Sequence, residues 1–136
     1  MSNGQNEWGV TFGRIGFLDD ILTTHKNLLS VTRDQDILFT VEREKPNDQL
    51  RILCADEYAF GLLLVRRALA EFKPLHVIYV GGAWNGYTPE AKEYCLDSKI
   101  GLYNAGEIGG GLWQPEYWKY AKRDEKGNRV YSYKAA

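Results

Sequence analysis

Residues 74 to 82, Pro-Leu-His-Val-Ile-Tyr-Val-Gly-Gly, constrain the fold more than any other stretch. An almost wholly apolar run this short, stopped by two glycines, is the pattern of a strand covered on both faces, because a half-exposed strand would alternate. Upstream, Leu50-Arg51-Ile52-Leu53-Cys54-Ala55 also reads as a strand, and it runs straight into Asp56 and Glu57. Between the two lies YAFGLLLVRRALAEF, a helical pattern ended by Pro74 with Arg66, Arg67 and Glu71 on its wet side. A helix joining two such strands is a crossover, so the strands are predicted to be parallel.

The remaining elements follow from local patterns. GRIGFLDDILTTHKNLL sets Ile15, Leu18, Ile21 and Leu22 at helical spacing, with Leu28 and Leu29 two turns on, and predicts one amphipathic helix. DILFTVERE, the turn residues around Pro46 and Asn47, and the run to Ala55 predict a hairpin with strands at 36–44 and 49–55. Thr88 before Pro89 is a helix start, with Thr as N-cap and Pro at the first helical position. The helix PEAKEYCLDSK leads to IGLYNAGEI, a last strand followed by a short helical turn or loop. The expected order is α-β-β-α-β-α-β. At 136 residues this is one α/β domain, a central mixed sheet flanked by helices over 1–112, with an extension over 113–136.

That extension is aromatic and basic. From Pro115 onward, six Lys and Arg face three Asp and Glu, while the whole chain carries a net charge of only −1. A nucleic-acid or membrane partner therefore has to be met by a local patch. One reading has Lys119, Lys122 and Arg123, with Arg66 and Arg67, contact the phosphates of DNA or RNA while the interleaved aromatics stack on bases. The other has Trp113, Tyr117, Trp118 and Tyr131 pack on the domain, on a partner protein or on a second copy, with a helix and then a hairpin turn at Lys126-Gly127-Asn128. Cys54 and Cys95 lack zinc-site spacing with His25 or His76, and are expected to be buried free thiols in a reducing compartment. His76, inside the apolar run, reads as a core histidine. The N-terminal residues show no leader pattern and no stretch is long enough to span a bilayer, so the expectation is a cytoplasmic protein with no membrane contact.

YVGGAWNGYTPEAKEYCLDSKIGLYNAGEI carries Thr88, Ala91, Ile100, Leu102 and Glu107 in the pattern T-x-x-A followed by I-x-L-x-x-x-x-E. With the strands before it, the stretch from about 36 to 112 resembles the PD-(D/E)xK nuclease superfamily, most closely the Mrr-like restriction-endonuclease-like domains. The resemblance implies an Asp at the head of one strand and a Q/E-x-K signature on the next, which together hold Mg2+ and orient the attacking water. The Asp position is filled by Asp36, with Asp34 as the alternative. The Q/E-x-K position falls on Leu53, Cys54 and Ala55, which supply neither carboxylate nor ammonium. The resemblance therefore implies a nuclease fold without its chemistry, acting by binding in nucleic-acid-associated processes such as defence or mobile elements, with no cofactor expected.

Two substitutes for the lost signature are open. In EREK, Glu44 and Lys45 are adjacent and would face opposite sides of a strand. Asp36 with Asp56 or Glu57 could gather Mg2+ at the strand ends, with Asp36 and Asp56 as ligands, and give a divergent metal-dependent nuclease. The competing account of Asp56 and Glu57 is acidic charge at a helix N-terminus. Gly81, Gly82 and Gly86 fit no nucleotide-binding spacing and read as tight turns.

Overall fold

In the computed structural model, which describes residues 3–135, Thr11 accepts from the Arg14 amide and starts helix α1 (Phe12–Thr23), whose buried stripe is Ile15, Leu18 and Leu22. Here the structure departs from expectation, because α1 ends at Thr23 and does not include Leu28 and Leu29. The hydroxyls of Thr23 and Thr24 donate back to the carbonyls of Asp19 and Asp20. Beyond them, the buried side chain of Asn27 donates to the carbonyls of Lys45 and Leu112 and turns the chain. Leu28–Asp34 becomes strand β1, which gives the central sheet one strand more than the sequence predicts.

β1 pairs antiparallel with β2 (Leu38–Arg43), and β2 pairs antiparallel with β3 (Asp48–Cys54), so the expected hairpin is present. The chain continues through β4 (Ala59–Phe60), α2 (Leu62–Glu71), β5 (Val77–Tyr79), β6 (Gly86–Tyr87), α3 (Pro89–Asp97), β7 (Gly101–Tyr103) and α4 (Ala105–Trp113). The central sheet has the order β1-β2-β3-β5-β7, with β5 parallel to β3 and β7 parallel to β5, as the crossover requires. Every residue of β5 and β7 is buried. Helices pack in two pairs, α2 with α3 and α1 with α4. The fold is therefore the mixed α/β domain that the apolar runs predict.

Thr88 accepts from the Ala91 amide with Pro89 behind it, as expected. α4 is a nine-residue helix where the sequence suggested a short turn or loop; Asn104 and Glu107 form a capping box that starts it. It tolerates Gly110 and Gly111 because a Cβ at either position would run into the rings of Tyr120 and Tyr103, which use the bare helix surface as a seat.

The extension begins with one 3-10 turn (Tyr117–Lys119) where a longer helix was expected. β8 (Lys122–Arg123) and β9 (Arg129–Val130) then form the hairpin predicted around Lys126-Gly127-Asn128, with Gly127 at a φ of 82°. Beyond it, the chain runs beside β6 through a parallel bridge between Tyr87 and Tyr133, adding a third extended piece to the small β4–β6 sheet. Among the described residues, no helix is long and apolar enough to cross a membrane.

Candidate nucleic-acid interface

The corner where the resemblance puts the catalytic groups is the head of β2 and the tail of β3. Asp36 stands there only 1% exposed, with a φ of 70°. Its carboxylate accepts from the Gly4 amide through both oxygens, from Asn6 Nδ2 at 2.8 Å and from Arg33 Nη1 at 3.0 Å. A carboxylate offers about four lone-pair sites, and these contacts use them all. Burial works to raise this carboxyl's pKa, but the bonds from Asn6, Gly4 and Arg33 outweigh it and hold the group below its ordinary value. Asp36 fastens the N-terminal segment to the β1–β2 turn, and this geometry does not suit a metal ligand. Asp34 is exposed and accepts from the Gln35 amide.

Asp56, just past β3, accepts from Asn85 Nδ2 at 2.8 Å and pairs with Arg14 at 3.4 Å. The neighbouring Glu57 is half-buried, and its amide donates to the Val80 carbonyl. Leu53, Cys54 and Ala55 are core residues, and burial above all pushes the Cys54 thiol up to about 12. Among the described residues, no group of three or more His, Cys, Asp or Glu is arranged to hold a metal.

Asp56 has another task. Gly81 adopts a φ of 118°, and a Cβ there would strike the Asn85 side chain and Asp56. Asn85 donates to the Val80 carbonyl as well as to Asp56, the Ala105 amide donates to the Gly81 carbonyl, and Asn104 Nδ2 donates to the Asn85 carbonyl. The 81–85 loop is thus tied down on every side. It carries Trp84, which is 83% exposed.

The basic residues divide sharply. Lys119, Arg123 and Arg129 line a cavity of about 500 Å³ together with Tyr120, and the one acid in its wall, Glu116, pairs with Lys119 at 3.1 Å. Arg123 donates to the Gly127 carbonyl and Arg129 to the Tyr131 hydroxyl, so both guanidiniums are steered by the hairpin. Lys122 points elsewhere, its ammonium lying against Gly106 at the start of α4. Arg66 lies over the Tyr94 ring, while Arg67 stacks 3.9 Å from the Trp8 ring centre and donates to the Glu7 carbonyl. Of the five basic residues expected at phosphates, only Lys119 and Arg123 reach the groove. Arg129 joins them because the hairpin register sets it opposite Arg123, a pairing that the Lys-Gly-Asn turn signals.

The aromatic residues divide as well. Tyr117 is buried, Trp118 and Tyr131 pack against the core, and Trp113 stays exposed beside the His25 ring. His76, expected in the core, is only half-buried just before β5, where its Nδ1 accepts from the Arg51 amide.

Residues 131–134 latch the extension to the domain. The Ser132 carbonyl accepts from the Tyr87 amide, and the Ser132 amide donates to the Tyr87 hydroxyl, which itself donates to Glu107 at 2.8 Å. The Ser132 hydroxyl donates to Glu107 and accepts from Asn104 Nδ2. Next to this network Lys92 is buried, donating to the Leu102 carbonyl among the rings of Tyr103, Tyr87 and Tyr131 at 4.3, 5.0 and 5.7 Å. Burial pushes its amine down to about 8, with the Glu107 carboxylate opposing. Gly86 allows the close approach, because a Cβ there would meet the Ser132 carbonyl and the Lys134 stem. Lys134 crosses it to set its ammonium 5.1 Å from the Tyr58 ring centre.

Compared with known proteins, the chain matches no family model, no curated protein and no solved structure.

Proposed function

We propose that the protein binds nucleic acid without cutting it, on a nuclease-like fold from which the metal chemistry has gone. The observation that carries this reading is the convergence of Lys119, Arg123 and Arg129 on one cavity beside Tyr120, in a chain whose overall charge is close to zero. A local excess of cations with an aromatic wall suits a phosphate backbone. The nuclease-like part rests on the resemblance and is supported by Asp36 at the head of β2, Leu53-Cys54-Ala55 at the end of β3, and the Thr88 cap of α3. In this reading Asp36, at the family's Asp position, has become a clamp for the N-terminal segment, and Asp56 holds the Trp84 loop.

The test is fluorescence anisotropy with labelled DNA between 50 and 200 mM salt, with Mg2+ or Mn2+ added and cleavage scored in the same tubes, all at roughly the range over which counterion release is measured. Replacing Lys119, Arg123 and Arg129 together with Ala should flatten the salt slope by about 2–3, at roughly 0.7–0.9 per phosphate contact. Unchanged affinity and slope would reject the groove; metal-dependent cutting would reject the loss of chemistry.

A second reading, an assembly subunit, is favoured by one feature. β1 is one of the two outer strands of the central sheet and leaves Leu29 exposed on it. A second copy or a partner could pair along that edge. Light scattering across a wide concentration range checks self-association, and a monomer throughout would count against a second copy.

A further inference from the structure

We infer that Tyr58, Trp84 and Tyr133 form a stacking platform for the bases of single-stranded nucleic acid, continuous with the basic groove along residues 129–134. The inference rests on the groove being a phosphate site, and it names the substrate class of that site.

Trp84 carries the argument. An indole left 83% exposed on a loose loop would mean little, but this loop is fixed by Asn85, Asn104, Ala105 and Asp56. The fold holds the ring out in water. Tyr58 and Tyr133 are also exposed, and strand register brings them to the same small sheet. Ala59 pairs with Gly86 and Tyr87 bridges Tyr133, so the three extended pieces lie side by side at about 4.8 Å spacing. Tyr133 stacks on Tyr131 at 5.3 Å, and the Lys134 ammonium sits 5.1 Å from the Tyr58 ring centre, which sets one cation among the tyrosines.

The platform and the groove share one strip of chain. Arg129 lines the groove and Lys134 reaches the platform five residues later, a span of at most about 17 Å at 3.3–3.6 Å per residue. That length matches about five stacked nucleotides at 3.4 Å each. Phosphates would run on the side of Lys119, Arg123 and Arg129, with bases over the rings. A duplex keeps its base faces stacked on one another and cannot offer them to these rings, whereas a single strand can.

The experiment uses the full chain with a labelled 12-nucleotide oligothymidine and a 12-base-pair duplex, lengths set at roughly twice that footprint. Binding is followed by anisotropy and, with unlabelled oligothymidine, by quenching of tryptophan emission. The single strand should bind at least about tenfold more tightly than the duplex, and Trp84→Ala should weaken it by about 5- to 150-fold. Trp84→Phe should recover part of that loss, since a stacking face is restored. Because Trp84 is exposed, the circular dichroism of both variants should match wild type. Equal affinity for duplex and single strand, or a Trp84→Ala variant that binds as well as wild type, would overturn the platform and leave the groove standing. Failure of the protein to bind either probe would overturn both.

Discussion

Asp36 is the residue at which a structural role and a catalytic one make opposite demands. Asp36→Asn keeps the side chain's shape and the tolerance of a φ of 70° that Asn shares with Asp. It removes the charge and turns one oxygen into a donor, which then faces Gly4, Asn6 or Arg33, all donors themselves. Hydrogen bonds to a charged group contribute about 1.5–3 kcal/mol each, and about two are lost in a buried site, so the variant should be destabilised by about 3–6 kcal/mol. Asp36→Ala should cost about 1–2 kcal/mol more, because Ala pays for the left-handed backbone. In urea, at a mid-range slope of roughly 2 kcal/mol per molar, the midpoint of Asp36→Asn should fall by about 1.5–3 M at pH 7. The carboxyl is held below its ordinary value of 3.8, so its stabilisation is present above that value and disappears as pH falls through the lowered one. Wild type and Asp36→Asn should therefore converge in acid. A midpoint equal to wild type at pH 7 would refute the fastening role. So would a wild-type midpoint that rises with Mg2+ while that of Asp36→Asn does not, since the carboxylate would then be holding a cation.

Lys92→Met tests the buried amine through its pH dependence. The folded chain releases the Lys92 proton near 8 while an unfolded one keeps it to about 10.5, so stability should rise with pH from about 8; the thiols of Cys54 and Cys95, pushed up from 9.0 to about 12, reverse the trend above 9. Between pH 8 and 9 wild type should gain up to about 1 kcal/mol relative to Lys92→Met, read from urea midpoints, and parallel curves would contradict it. Gly86→Ala should push residues 131–134 off β6, because its Cβ meets the Ser132 carbonyl. Hydrogen exchange should then lose protection at the Ser132 and Lys134 amides while β5 and β7 keep theirs; retained protection at both amides would show that the latch does not depend on that approach.

The crossover between β3 and β5 was legible because its signals are local: an apolar run, a proline stop and a pair of glycines. β1 was not. Leu28 and Leu29 fall at helical spacing from Leu22, and what turns the chain out of α1's path is Asn27, whose partners Lys45 and Leu112 are 18 and 85 residues away. α4 runs to nine residues where a short helical turn or loop is expected, although Asn104 and Glu107 carry the capping-box signal for a helix. The same limit governs the site. The sequence singles out Asp36 and Asp56 by residue type, but their use is set by Gly4, Asn6 and Asn85, which lie 32, 30 and 29 residues from them. Arg66 and Arg67 look like free surface cations until Tyr94 and Trp8 are brought beneath them.

The order of the central sheet also divides it by the length of chain that must close to build it. β1, β2 and β3 meet across short turns, whereas Ile52 finds Val77 and Val77 finds Gly101 only after loops of about 25 residues, and Tyr87 finds Tyr133 after a longer one. Loop closure is costlier as separation grows. The meander should accordingly assemble first, the parallel strands should add to its β3 edge, and residues 131–134 should dock last. Interactions made after the transition state act on the way out and not on the way in. Weakening Ser132 or Tyr133 should thus hasten unfolding and leave the refolding rate where it was.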